Sequence, residues 1–154
     1  MDKLVEDYWQ KFQDTLLPES VYRARPFTAE GWGDGPEMAA ELGALIASGI
    51  KTATCSAVWE WQAEGQAWPD PGAITVVLGG KAEPLCIVET IEVTVRPYNQ
   101  VDASFAFDEG EGDRSLAYWR EAHRSFFSRS LKSIDRQFAE DMPLVCERFK
   151  LIYS

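Results

Sequence analysis

Two short segments carry side chains whose types and spacing could perform chemistry. The first is Lys51-Thr52-Ala53-Thr54, in which an amine and two hydroxyls lie within four residues. A lysine whose pKa falls on burial can act as a base, and a neighbouring threonine hydroxyl is then a possible nucleophile. The alternative is structural, with the lysine complementing the dipole of a preceding helix while the threonines begin a strand. Spacing alone favours the structural role.

The second segment is the acidic run Asp108-Glu109-Gly110-Glu111-Gly112-Asp113. Its two glycines permit a tight turn, so one carboxylate could point into a cleft while Asp113 caps the next helix. For Glu111 and Asp113 we expect a solvated acidic turn at that helix N-terminus, and the role of Glu109 stays open at this point. Grouped carboxylates could also bind Mg²⁺ or Mn²⁺, but the spacing is not that of a calcium loop. We predict no resident metal.

A basic stretch follows in this acidic chain. Arg120 and Arg124 are four residues apart and share a helix face that could bind phosphates in a bidentate manner. The alternative is that this face pairs with acidic patches elsewhere in the molecule. Aromatic side chains are more often part of the core, although some could stack on a base. The tryptophans considered for stacking are Trp32, Trp59, Trp61 and Trp68.

Two further residues could be reactive. His123 shares a helix face with Trp119 and Phe127, and we predict a hydrogen-bonded packing histidine rather than a catalytic base. Cys55 could be a thiolate nucleophile beside Lys51, but no histidine lies near it in the sequence to activate the thiol.

Composition limits the classes of function. The 154 residues are about one domain's worth, and we predict a single domain over 1–154. The net charge of -10 argues against a protein that coats nucleic acid, since such binding depends on cationic contacts to phosphates. There is no apolar run of the ~18 residues of a membrane helix, and the N-terminus does not resemble a signal peptide. Three cysteines and one histidine favour reduced thiols over disulfides or zinc. We therefore predict a cytoplasmic protein that has no membrane partner.

The apolar pattern predicts an α+β fold. Helical spacing indicates an amphipathic helix at about 2–16, a second helix from Pro36 that stops at Gly49, and a third that begins near Ser115. Residues 74–78 and 85–95 are rich in β-branched side chains around Gly79-Gly80, which predicts a hairpin. Residues 144–153 form a last strand, interrupted by Glu147. We expect a small antiparallel sheet or barrel with flanking helices.

Three motifs stand out in the chain. They are Gly49-x-Lys51-Thr52-x-Thr54, Cys86-Ile87-Val88-Glu89, and Ala106-x-x-Glu109-Gly110-Glu111-Gly112-Asp113-x-Ser115-Leu116-x-x-Trp119-Arg120-x-x-His123-x-x-Phe126-Phe127. Together these motifs resemble the ASCH domain family, over roughly residues 25–153, and specifically its larger bacterial branch. The most specific motif is the acidic run with the helix that follows it.

The resemblance implies a PUA-like β-barrel of mostly antiparallel strands with a cleft for RNA or a nucleoside. Some relatives hydrolyse the amide of N(4)-acetylcytidine with a lysine, a threonine three residues later and a glutamate, and Lys51, Thr54 and Glu109 match these positions. Cys55 and Ser56 follow Thr54 here, where the short amidohydrolases have a basic residue.

The reaction expected from this resemblance is attack by the Lys51–Thr54 pair on an acyl carbon, with Glu109 passing a proton to the leaving amine. Thr52, Trp32, Arg120 and Arg124 are expected to bind the substrate, and no cofactor is required. The alternatives are a ribonuclease on single-stranded RNA assisted by Mn²⁺ or Mg²⁺, and an RNA-binding module without catalysis. The expected partner is accordingly a nucleoside or single-stranded RNA.

Overall fold

A curled sheet of five strands forms the centre of the fold, in a computed structural model that describes residues 2–154. Its strand order is β1-β3-β4-β5-β2, and only the β1–β3 pair is parallel, so the sheet is mostly antiparallel as predicted. Register shifts in the long β4 strand help it curl into a half-barrel. The strands are β1 (Thr28–Glu30), β2 (Ala53–Ala57), β3 (Ile74–Leu78), β4 (Pro84–Pro97) and β5 (Pro143–Tyr153).

Five helices flank the sheet, which confirms the α+β class. Gly49 has a φ of +82° just beyond α2, where the expected helix stop requires a left-handed residue. The first helix ends at Asp14, two residues before the end of the predicted helix 2–16. The two seven-residue helices, α3 and α4, were not predicted because a short helix shows little periodicity. The helices are α1 (Lys3–Asp14), α2 (Pro36–Ala47), α3 (Val58–Glu64), α4 (Ala103–Glu109) and α5 (Leu116–Ser130).

The hairpin and the last strand agree with the sequence pattern. β3 and β4 are antiparallel neighbours, and β4 extends about two residues beyond the predicted end because Pro97 still pairs with Pro143 of β5. The short β1 lies within the segment 18–35, for which composition predicts a packed loop.

The core that positions the site lies between α5, α4 and the β5–β2 half of the sheet. Trp119 and Phe127 of α5 are buried in it, on the helix face that they share with His123, and Phe105 and Ala106 anchor α4 to the same cluster. This packing fixes the end of α4 and the inner face of α5 relative to β2. No helix described in residues 2–154 has the length and apolar character needed to cross a membrane.

Candidate active site

A cavity of about 480 Å³ lies between the two edge strands of the half-barrel, β1 and β2, and is closed by α2, α3 and α5. Lys51, Thr54 and Glu109 all line it, so the structure brings the three residues of the sequence motifs to one cavity. The volume lies within the range of pockets that bind small molecules.

A close backbone approach brings Glu109 to Lys51. The amide of Thr52 donates to the carbonyl of Asp108 at 2.8 Å, which ties the entry of β2 to the end of α4. Gly110 follows α4 with a φ of +75°, and a Cβ atom there would lie 2.8 Å from the Ile50 carbonyl oxygen. A glycine is therefore required both by the backbone conformation and by the contact.

The Lys51 ammonium is buried and has three acceptors. Nζ donates to Glu109 Oε1 at 3.0 Å, to the Glu109 carbonyl at 3.2 Å and to Glu111 Oε2 at 2.9 Å, while only 1% of the side chain is exposed. Burial alone would lower the pKa of Lys51, but the attraction of Glu109 and Glu111 outweighs it and raises the pKa above its ordinary value. Lys51 is therefore an ammonium at neutral pH in this arrangement, and not the neutral amine that a base requires.

Glu109 receives hydrogen bonds from three sides. Its Oε2 accepts from Trp119 Nε1, from His123 Nε2 at 3.2 Å and from the Cys55 thiol at 3.5 Å. Burial would raise the pKa of Glu109, but the neighbouring charges of Lys51 and His123, with the hydrogen bonds, lower it well below its usual range. The carboxylate is therefore ionised at neutral pH and holds no proton to donate.

His123 is part of the site as well as of the packing. Its ring is stacked on Trp119 with centroids 4.3 Å apart, as expected of a packing histidine. Its Nδ1 lies 2.9 Å from the Trp119 carbonyl, and Nε2 faces Glu109. Acceptors at both ring nitrogens favour the doubly protonated ring. Burial lowers the pKa of His123, yet Glu109 raises it above its ordinary value overall.

Thr54 offers a hydroxyl to the cavity from edge strand β2. Within residues 2–154, no hydrogen bond engages this hydroxyl, and the side chain is half-buried. Its partner in the β2–β5 register is Glu147, which also lines the cavity. Residues directly opposite in an antiparallel pair have Cβ atoms about 4.5–5.5 Å apart. Thr54 and Glu147 are therefore neighbours on one face of the sheet.

Tryptophan side chains line the cavity. Trp32 packs on Phe149 with ring centroids 5.4 Å apart, and its Nε1 donates to Glu30 at 3.0 Å. Trp61 of α3 also lines the cavity, and its Nε1 donates to Ser56 Oγ at 2.8 Å. These rings provide apolar surfaces on which a planar base can stack.

Three of the residues expected to bind substrate lie outside this cavity. The Thr52 hydroxyl is 3.4 Å from the Asp108 carbonyl and supports the β2–α4 junction instead. Arg124 pairs with Glu140 at 2.7 Å and covers the Phe138 ring. Arg120 is exposed on the same side of α5, since the cavity receives the opposite face that carries His123. The alternative interpretation of the basic face, pairing with acidic side chains of the molecule, holds for Arg124.

The cavity is strongly acidic. Seven glutamates line it, against a single lysine and no arginine among the described residues. An anionic ligand would experience repulsion that is screened only partly inside a concave site. The cavity is therefore suited to an uncharged or cationic ligand rather than to an anion. The glutamates are Glu30, Glu41, Glu60, Glu64, Glu109, Glu111 and Glu147.

One group of side chains in the described chain has the proximity of metal ligands. Donor atoms of Cys55, Glu109 and His123 lie within 4.8 Å of one another. A thiol and an imidazole do not suit Mg²⁺, which prefers carboxylate and water oxygens. His123 already uses both nitrogens and Glu109 is neutralised by Lys51, so these residues do not fit a magnesium or manganese site.

Sequence reasoning was wrong for Glu111 and did not assign Cys55, His123 or Glu147 to the site. Glu111 binds Lys51 because Gly110 and Gly112, with φ of +75° and +59°, turn the chain back over the cavity. The spacing of residues in the sequence does not determine the direction in which such a turn points its side chains. An acidic residue within an apolar strand was the available signal for Glu147.

Known proteins with this architecture were found by sequence and by structure. The family model described as the ASCH domain, a PUA-like fold, matches residues 29–153. The crystal structure of an ASCH domain from Lactobacillus crispatus JV V101 is 36% identical with a TM-score of 0.93, covering 100% of this chain and 97% of its own. A protein of Enterococcus faecalis V583, whose family is designated DUF984, is 37% identical with a TM-score of 0.85, covering 99% and 90%.

A third solved structure, of a hypothetical protein, shares only the fold, at 16% identity and a TM-score of 0.54 over 82% of this chain and all of its own. A search of curated proteins finds no match. The family model and the two solved structures above 30% identity agree over nearly the whole sequence, and the chain belongs to the ASCH domain family.

Proposed function

We propose that the protein is a hydrolase that cleaves the amide bond of a modified nucleoside of the N(4)-acetylcytidine type. The observation that carries this proposal is the Thr54 hydroxyl in the same cavity as the buried Lys51–Glu109 ion pair. The cavity's volume and its tryptophan rings fit a nucleoside, and the match of Lys51, Thr54 and Glu109 to the motif of amidohydrolase relatives supports the same substrate class.

In this mechanism Thr54 attacks the acyl carbon of the amide. The Lys51 ammonium stabilises the negative charge that develops on the carbonyl oxygen, a role in which a fixed positive group in a dry site is effective. Its three N–H groups already have acceptors, so it donates to that oxygen when the partly exposed Glu111 releases its hydrogen bond. Glu109 holds Lys51 and His123 in their charged forms and orients them. Lys51 is thus assigned charge stabilisation, because its pKa is raised rather than lowered.

The acidic lining favours a neutral nucleoside over RNA. The phosphates of RNA would be repelled by the seven glutamates that line the cavity. The arginines that were expected to bind these phosphates lie on the outer face of α5. A metal-assisted ribonuclease and an RNA-binding module are therefore the weaker alternatives, and both become outcomes of the same experiment.

A turnover assay tests the proposal. The purified protein is incubated with N(4)-acetylcytidine, with its 5′-monophosphate and with single-stranded RNA, each with Mn²⁺ or with EDTA, and products are separated by chromatography. We expect cytidine and acetate from the nucleoside regardless of metal, and at least about tenfold lower kcat/KM for the monophosphate.

The variant Thr54→Ala should lose this turnover, while Thr94→Ala on β4, outside the cavity, is the matched control. Cleavage of RNA that requires Mn²⁺, with the acetylated nucleoside intact, would establish the ribonuclease instead. Binding of RNA without any turnover would establish the binding module.

A further inference from the structure

Glu147 is a buried carboxyl that the reaction described above does not yet use. It lies in β5 between residues of the core, with only 9% of the residue exposed, and Val145 and Phe149 on the same face are also buried. Burying a carboxylate without compensation is costly. A carboxyl kept at such a position therefore calls for a functional explanation.

The surroundings of Glu147 contain no compensating cation. Within the described chain its side chain has one hydrogen-bond donor, Thr90 Oγ1 at 3.3 Å from Oε1, and no ion pair. The charged group that acts on it is Glu30 of β1, which has the same sign. Burial first and Glu30 second raise the pKa of Glu147 to about 7, and the Thr90 bond opposes them only in part. A carboxyl with this pKa exchanges protons near neutral pH.

The position of Glu147 relates it to Thr54. The two residues are directly opposed on neighbouring strands, an arrangement in which Cβ atoms are ordinarily about 4.5–5.5 Å apart. Both line the cavity, and the Thr54 hydroxyl has no hydrogen-bond partner within residues 2–154. A glutamate side chain is long enough to reach a hydroxyl across that distance.

The other titratable groups near Thr54 are committed elsewhere. Lys51 is an ammonium bonded to two glutamates, and Glu109 is an ionised carboxylate with a lowered pKa. Burial raises the pKa of Cys55 well above its ordinary value, so its thiol is not a base either. His123 has acceptors at both of its nitrogens.

We propose that Glu147 is the general base that activates Thr54, an inference that rests on the hydrolase function proposed above. Glu147 takes the proton of the Thr54 hydroxyl as its oxygen bonds to the acyl carbon, and the carbonyl electron pair moves to oxygen beside Lys51. Collapse breaks the carbon–nitrogen bond, and the leaving amine takes the proton from Glu147. Water then attacks the acyl–threonine ester, Glu147 accepts a proton from that water, and the departing threonine oxygen recovers one. The sum is amide plus water to carboxylic acid plus amine.

The experiment compares Glu147→Gln with the wild type in two assays. The first is turnover of N(4)-acetylcytidine, where loss of a general base should lower kcat about 100-fold or more while KM changes less than about threefold. A residue that only binds substrate would raise KM instead. Glu121→Gln, an exposed acidic residue of α5 outside the cavity, is the matched control.

The second assay does not depend on the nucleoside. Acetylation of Thr54 by p-nitrophenyl acetate is followed by peptide mass spectrometry between pH 5 and 9. We expect a rise in rate with a midpoint near pH 7 in the wild type and loss of this rise in Glu147→Gln. Glu30→Gln removes the like charge that raises the pKa of Glu147, so its midpoint should move to lower pH.

The outcomes separate this inference from the proposed function. Glu147→Gln with turnover within threefold of the wild type would overturn the base assignment while the hydrolase stands. Acetylation of Thr54 that depends on Glu147, without turnover of any acetylated nucleoside, would support the base and overturn the hydrolase. Absence of both reactions in the wild type would overturn both.

Discussion

Replacing Glu147 by Gln should stabilise the protein at alkaline pH. Its pKa is about 7 in the folded protein and close to the ordinary 4.5 when unfolded. The folded state therefore binds the proton more tightly, and stability due to this group is full below about pH 4.5 and is lost as pH rises through about 7. Glutamine keeps the shape and carries no charge, so the variant avoids this loss.

The magnitude follows from the pKa difference. Each pKa unit corresponds to about 1.4 kcal/mol, so the rise from 4.5 to about 7 is worth about 3 kcal/mol above pH 8. At pH 5 the carboxyl is protonated in the folded state and only partly ionised in the unfolded state, and the gain falls to under about 1 kcal/mol.

Urea unfolding of wild type and Glu147→Gln at pH 5 and pH 8 measures this difference, with equal m values as the condition for comparison. Glu121→Gln is the control for loss of a surface charge, and its free energy of unfolding should change by less than about 0.5 kcal/mol. We predict that ionisation of the buried Glu147 destabilises the folded protein. This prediction would be refuted if Glu147→Gln were less stable than the wild type at pH 8, or if the substitution changed the free energy of unfolding equally at both pH values.

Three other predictions concern the core and the charge balance of the site. Phe127→Ala should lower the free energy of unfolding, measured in urea, by about 3–5 kcal/mol, because the side chain is fully buried. A loss under about 1 kcal/mol would show that this face of α5 is not part of the core. Lys51→Met and Glu109→Gln should each cost about 3–5 kcal/mol, because each removes one partner of a buried ion pair, while the double variant should lose less than their sum. Strict additivity in that thermodynamic cycle would count against the ion pair. The protein should bind cytidine more tightly than cytidine 5′-monophosphate, as measured by calorimetry. The difference between the two affinities should become smaller from 20 mM to 500 mM salt, because salt screens the repulsion of the phosphate. Tighter binding of the monophosphate would contradict the conclusion that the acidic cavity repels anions.

Much of the fold could be predicted from local patterns. The β-branched runs around Gly79-Gly80 specify the hairpin, and Pro36 and Gly49 bracket α2, since turn and cap chemistry is encoded by adjacent residues. The short β1 strand and helices α3 and α4 carry too few residues for a periodic signal. They form because the surrounding core accepts them.

Residues of the candidate site could be predicted only where a sequence motif identified them. Lys51, Thr54 and Glu109 were identified through the family resemblance, and residue spacing alone favoured a structural role for the lysine segment. The charge state of Lys51 could not be predicted from the sequence, because its pKa depends on Glu111, which a glycine turn places over the cavity. Glu147 joins the site only through strand pairing with Thr54, a contact between residues far apart in the chain.

The contacts of Glu109 have a consequence for local unfolding. Its carboxylate is bonded to Lys51 after α2, Cys55 on β2, and Trp119 and His123 on α5. Opening one of these segments alone would take a charged partner or a hydrogen-bond donor away from the buried carboxylate, so they should open together, with slow amide hydrogen exchange close to that of global unfolding. The glycine-rich segment 31–35 around Trp32 is mostly exposed, and its contacts include a surface ion pair of Asp34 with Arg129 at 3.1 Å and the packing of Trp32 on Phe149. We therefore expect the motion that admits a ligand to occur on the Trp32 side of the cavity, while the side that holds the ion pair stays rigid.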